Sequence, residues 1–140
     1  MKYKTIFSAI IFSISSVFVA LFGPWNSAIQ TLIICMGIDY ITGLILAAVF
    51  KKSKKSKSGG LSSLAGWKGI ARKGITLLIV LIANRLDLML NVVYIRDAVI
   101  IAFTVNEILS IIENAAVMGI PIPEVIKKAI DLLKNKEIEQ

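Results

Sequence analysis

The stretch Asp97 to Gly119, DAVIIAFTVNEILSIIENAAVMG, decides how the chain is read. It is long enough to cross a bilayer, since a spanning helix needs about 20 mostly apolar residues. It nevertheless carries Glu107 and Glu113, with Asn106, Ser110 and Asn114 beside them. On a helix at roughly 100° per residue these five side chains fall within an arc of about 120°. The rest of the surface is Ile, Leu, Val, Ala and Phe. A carboxylate at the bilayer centre costs on the order of 3 kcal/mol even on lenient insertion scales, so two on one stripe require a protein partner or water. The stripe reads either as a seam between helices or as the wall of a water-filled lumen. The seam is favoured, because polar residues commonly hold membrane helices together.

Composition agrees with a membrane setting. The 140 residues allow one domain, and 56% of them are hydrophobic, above the usual share of about 45–50% for soluble domains. Thr5 to Ile38 contains no charge, while basic residues cluster beside the apolar runs. The net charge of +7 therefore reads as a topological signal rather than a nucleic-acid footprint. Histidine is absent and Cys35 is the one cysteine, which excludes a His/Cys metal cluster, a His-dependent triad and an intramolecular disulfide. No metal, cofactor or catalytic residue is expected.

Working outward, four spans are predicted at about 5–22, 27–50, 74–95 and 97–119. The first is read as an uncleaved span rather than a signal peptide, because it is too long and lacks a small-residue cleavage site. It ends at Gly23-Pro24, with Trp25 as an interfacial anchor. The second holds Asp39 as its sole charge, with Gly43 and Ala47 four apart and suited to close helix packing. An intramembrane acid is a functional-site candidate by default. The third carries Asn84, Arg85 and Asp87 near its middle, and either crosses with a polar stripe or lies at the interface. Arg85 and Asp87 do not face each other on a helix. They are expected to find partners on another helix, with Asp39, Glu107 and Glu113 as candidates.

Between the second and third spans lies a basic loop, 51–73, with Lys51, Lys52, Lys54, Lys55 and Lys57 followed by a short interfacial piece holding Arg72 and Lys73. These residues mark the cytoplasmic side and suit contact with anionic lipids. After Pro121 and Pro123 comes an amphipathic tail, 121–140. Its apolar positions are Val125, Ile126, Ala129, Ile130 and Leu133, with Lys127, Lys128 and Lys134 off that stripe and KNKEIEQ as a solvated end. The expected fold is an all-α integral membrane protein: about four transmembrane helices, both termini inside, and a short C-terminal amphipathic helix.

Three stretches in this order, Asp39–Gly43 (DYITG), Gly66–Lys73 (GWKGIARK) and Asn106–Pro123 (NEILSIIENAAVMGIPIP), resemble the phage lysis and toxin-secretion holin family of Gram-positive bacteria and their phages. The resemblance covers about Gly37 to Leu133; the first span matches only in hydropathy. It implies a protein that performs no covalent chemistry. Such a protein accumulates in the cytoplasmic membrane, oligomerises and opens lesions that release an endolysin or a toxin. Asp39, Gly43, Arg72, Lys73, Glu107, Glu113 and Asn114 occupy motif positions. The next methionine after Met1 is Met36, inside the second span, so a short variant from a nearby second start is not available. The expected polar seam or pore lining comprises Asp39, Asn84, Asp87, Asn106, Glu107, Ser110, Glu113 and Asn114. Two other readings compete: a selective channel or small transporter subunit using the same carboxylates, and a membrane scaffold recruiting a soluble partner.

Overall fold

The computed structural model describes residues 2–138, with side-chain surroundings as far as Leu132 except at Ile130. All regular structure among them is helical: α1 (Lys2–Phe22), α2 (Ser27–Ile45), α3 (Ser63–Leu90), α4 (Ile95–Val117) and α5 (Glu124–Ile138). A π-helical turn, Leu46–Phe50, continues α2 to Lys51, which takes a left-handed conformation at φ 52°. Two helices are long and apolar enough to cross a membrane by length and composition: α1, and α2 with its π-helical extension.

Local chemistry explains the boundaries. The backbone N–H of Gly23 returns to the Val19 carbonyl at 2.9 Å with φ +80°, a conformation only glycine adopts without strain, and Pro24 prevents continuation. The Asn26 side chain then accepts a bond from the Ile29 N–H at 3.2 Å and caps α2. Ser62 does the same for α3 through the Ala65 N–H. Asn91, at φ 55°, ends α3 and donates its N–H to the Asp87 carbonyl.

Helix α4 is the centre of the assembly. It packs most extensively along α2 and next along α3, whereas α2 and α3 touch each other little. The apolar core joins Ile29, Leu32 and Met36 of α2 to Val80 of α3 and Ile100 of α4, with Phe18 and Phe22 of α1 and Phe103 of α4 against it. Helix α1 buries no residue; Phe7, Phe12 and Ile14 are all exposed. Its C-terminal end is held, where Phe18 stacks on Phe22 at 4.7 Å and meets Trp25 edge-on at 5.2 Å.

Three expectations are corrected. The loop expected at 51–73 is only 51–62 long, and the interfacial piece is the start of α3. Gly66 and Gly69 explain why: a Cβ on either would lie 3.4 Å from the Tyr40 hydroxyl or 3.7 Å from its ring. Tyr40 of α2 lies against this first part of α3 at both glycines, a tertiary contact that outweighs poor helix propensity. The third segment also ends at Leu90 rather than at 95, and the fourth starts at Ile95 rather than at 97, so the tight connection is 91–94 and Arg96 lies in the first turn of α4. Lastly, the amphipathic helix read from Glu124 to Lys134 continues through Ile138. The side chains of Ile130, Leu133 and Lys134, on which the amphipathic reading of the tail partly rested, lie outside the described residues, as do Glu139 and Gln140.

Two glycines give a paired test. At Gly23 an added Cβ would meet Asn84 Oδ1 at 2.7 Å, whereas at Gly37 it meets nothing within 4 Å. Gly23→Ala is expected to cost about 1–2 kcal/mol, while Gly37→Ala is neutral or stabilises by up to about 1 kcal/mol. Unfolding of the detergent-solubilised protein, followed by circular dichroism, measures both.

Candidate functional site

The polar residues of the apolar helices form two separate clusters. The first bridges α2, α3 and α4. The Lys73 ammonium donates to Asp39 Oδ2 at 2.9 Å and to Glu107 Oε2 at 2.5 Å. Both carboxylates are nearly enclosed, with side chains 8% and 11% exposed, and Lys73 is 19% exposed. Asn114 donates to Thr42 Oγ1 at 3.0 Å and to Asp39 Oδ1 at 3.4 Å. Thr42 in turn donates to the Asp39 carbonyl at 3.0 Å. Asp39 therefore has both oxygens engaged, by α3 and by α4. Gly43 lies one helical turn beyond Asp39, where a Cβ would be 3.9 Å from Asn114 Nδ2, and Ala47 is buried one turn further on.

A cleft of about 560 Å³ opens beside this cluster, between α2 and α3 at the end that carries the 51–62 loop. Asp39, Lys73 and Glu107 form part of its wall, together with Asn106, Ser110 and Glu113 of α4. Asn106 and Glu113 are exposed, and Ser110 is half-buried. The α4 stripe is thus graded: Glu107 and Asn114 turn into the helix contacts, and the others line the open side. Among the loop residues Lys55 reaches the cleft, whereas Lys51, Lys52, Lys54 and Lys57 are exposed outside it.

The second cluster lies at the opposite end. The Asp87 carboxylate accepts the backbone N–H groups of Ile95 and Arg96, each at 2.9 Å, and so caps α4 from α3. Arg96 is 4% exposed. Its Nε donates to the Phe22 carbonyl at 2.5 Å, its Nη2 to the Pro24 carbonyl at 2.8 Å and its Nη1 to Asp97 Oδ1 at 3.0 Å. Asn84 Nδ2 adds a bond to the Leu21 carbonyl at 2.9 Å. The unsatisfied carbonyls at the end of α1 are therefore taken up by α3 and α4.

Asn84 and Asp87 consequently do not join the seam with Asp39 and Glu107: they belong to the end clamp, separated from the first cluster by the apolar core. Arg85 is exposed and makes no ion pair among the described residues. Arg72 is also exposed, but Lys73, grouped with it as a topological or lipid-contacting residue, is the cation of the seam. Tyr40, Thr42 and Arg96 were missed as site residues, and Lys73 was assigned to topology or lipid contact rather than to the seam. The signal was the spacing. Lys73, Val80, Asn84 and Asp87 share one face of α3, and Arg96, Ile100, Glu107 and Asn114 share one face of α4. No group of three or more His, Cys, Asp or Glu side chains among the described residues is placed to hold a metal ion.

Removing one partner of a buried ionic cluster leaves the others uncompensated, which typically costs about 3–5 kcal/mol. Lys73→Met is expected to fall at the lower end, because the cleft lets water reach one side. Combining it with Asp39→Asn and Glu107→Gln should recover most of the loss. Denaturant unfolding of the single and triple variants in detergent checks this, and an undamaged single variant would contradict the assigned bridge.

Comparison with known proteins follows the same elements. Residues 16–135, which span the end clamp, the core and the Lys73 cluster, match the bacteriophage holin family. A relative from Clostridium perfringens, named as an uncharacterized 14.9 kDa protein in the nagH 3′ region, is 36% identical over 129 residues, covering 91% of this chain and 92% of the relative. An uncharacterized protein of Listeria innocua is 39% identical over 127 residues, covering 90% and 85%. A protein of Bacillus phage phi105 named "probable holin" is 34% identical over 99 residues, covering 70% and 67%. No solved structure matches the chain significantly. With a family match over most of its length and relatives of this similarity, the chain belongs to the bacteriophage holin family, and its apolar helices are those of a membrane protein.

Proposed function

We propose that this holin resides in the host cytoplasmic membrane with α1 to α4 crossing it. The N-terminus, the 51–62 loop and α5 lie on the cytoplasmic side. Copies assemble there and open lesions through which an endolysin, or a secreted toxin, leaves the cell. The proposal assigns the protein no covalent chemistry. The basic loop supports the orientation, since positive residues stay on the cytoplasmic side. The end clamp then lies outside, where the short connections 23–26 and 91–94 meet.

The observation that carries the proposal is the Lys73 bridge. Helices α3 and α4 are too charged to enter lipid as isolated apolar rods, yet Lys73 of α3 is paired between helices with Glu107 of α4 and Asp39 of α2, so that each of these buried charges has an opposite charge beside it. Such a seam is compatible with lipid while closed. Its groups are also the ones that water solvates best when the helices part. The same residues thereby serve a resting state and a hydrated wall. The cleft beside Asn106, Ser110 and Glu113 supports this reading, since it already opens one side of the α4 stripe.

Inducible expression in a bacterium, with and without a cytosolic endolysin, tests the proposal through membrane potential and optical density. An abrupt, delayed loss of potential, with lysis that requires endolysin, is expected. Slow depolarisation without endolysin-dependent lysis would instead indicate a selective channel, and growth with potential intact a scaffold. Within the holin outcome, Glu107→Gln and Asp39→Asn should shift the onset of lysis at equal amounts of protein in the membrane. An onset indistinguishable from the unaltered chain would remove the bridge from the mechanism. Neutralising Lys51, Lys52, Lys54, Lys55 and Lys57 together should invert or mix the orientation, read by protease access to the C-terminus.

A further inference from the structure

The cleft between α2 and α3 carries more than the seam uses. Asp39, Lys73 and Glu107 are satisfied by one another. Three other charged residues line the same space: Lys55 from the loop, Arg72 from α3 and Glu113 from α4. None of the three makes an ion pair among the described residues. Lys55 and Glu113 also share the smaller recess that adjoins the cleft, which Lys54 lines with them. The lining also includes the apolar side chains of Leu44, Leu61, Ile75 and Phe103. A volume of about 560 Å³ lies within the range of small-molecule sites. The loop that closes one side is itself fixed. Ser53 N–H bonds to the Gly59 carbonyl at 2.9 Å, and Ser56 Oγ donates to the Gly60 carbonyl at 2.7 Å.

We propose that this cleft binds one phospholipid with a zwitterionic, primary-amine headgroup, the phosphate held by Arg72 and Lys55 and the ammonium by Glu113. Charge balance selects that class. The lining contains three cations, Lys55, Arg72 and Lys73, and three carboxylates, Asp39, Glu107 and Glu113, so it is neutral as it stands. An anionic headgroup would leave an unbalanced negative charge in a partly desolvated space, whereas a zwitterion leaves none. An ammonium with N–H donors can bond the Glu113 carboxylate directly, which a quaternary amine cannot. The acyl chains lie along the apolar surface. The lysines that line neither the cleft nor its recess, Lys51, Lys52 and Lys57, attract anionic lipid only through a diffuse field, and the cleft adds recognition by shape and charge pattern.

The inference rests on the membrane placement proposed above. The test uses the full chain in nanodiscs containing equal amounts of phosphatidylethanolamine, phosphatidylcholine and phosphatidylglycerol with identical acyl chains. Native mass spectrometry counts the lipid retained after release. Phosphatidylethanolamine should be retained about tenfold over each of the others, the discrimination of one charge-assisted hydrogen bond. Glu113→Gln should abolish its advantage over phosphatidylcholine without lowering phosphatidylcholine retention, and Arg72→Gln should lower retention of all three. Both residues are exposed, so neither change removes a core contact. Equal retention of the three lipids, a preference for phosphatidylglycerol, or a preference that survives Glu113→Gln overturns the proposal. Failure of the protein to enter nanodiscs would overturn the membrane placement, and this inference with it, and is recognised separately from any change in lipid preference.

Discussion

The structure depends on one ammonium group held between two carboxylates from different helices. Helices α2 and α3 have little direct contact, and each leans on α4. Lys73 reaches from α3 to Asp39 on α2 and Glu107 on α4, and so completes a triangle that backbone packing leaves open. In water such a bridge would contribute little; between apolar helices the alternative to pairing is a buried uncompensated charge, so the constraint acts mainly by forbidding other arrangements. The cluster carries two negative charges and one positive. Asn114 and Thr42 supply the additional polar contacts around Asp39.

The apolar core divides this cluster from a second one built on different logic. At the far end the charges serve backbone groups rather than each other. Asp87 satisfies the first N–H groups of α4, and Arg96 the Phe22 carbonyl at the end of α1 and the Pro24 carbonyl just beyond it. One end of the molecule is therefore organised by helix termini and the other by side-chain pairing. The apolar layer of Ile29, Leu32, Met36, Val80 and Ile100 keeps the two apart. Perturbations at the two ends share no hydrogen-bond partner and should combine nearly additively.

Much of this was legible in the sequence. The uncharged runs marked α1 and α2. The five polar residues from Asn106 to Asn114 marked the polar face of α4, and Asp39 stood out as the lone acid in its helix. The start of α3 was not legible, because Gly66, Gly69 and the neighbouring basic residues look like loop until Tyr40 of α2 is seen to lie against the two glycines. That error in turn hid Lys73. A helix begun at 74 excludes it, whereas a helix begun at Ser63 puts it in line with Asn84 and Asp87. The destination of Asp87 could not be read either, since its partners are backbone N–H groups, which have no sequence signature. Arg96 was overlooked as part of a connection, although its spacing to Ile100, Glu107 and Asn114 follows one helix face.

Helix α1 has a consequence of its own. Its polar and aromatic attachments fall between Phe18 and Trp25, and no residue along its length is buried. The match to the family begins at residue 16, close to where those attachments start. Upstream of that point nothing in the fold distinguishes one apolar side chain from another, or one rotation of the helix from the next. The first four turns are thus answerable to the solvent rather than to the protein. Their sequence can drift among apolar residues without disturbing the packed helices, and if α1 crosses the membrane as proposed, the thickness of the lipid, more than any neighbouring side chain, sets how long this helix must be.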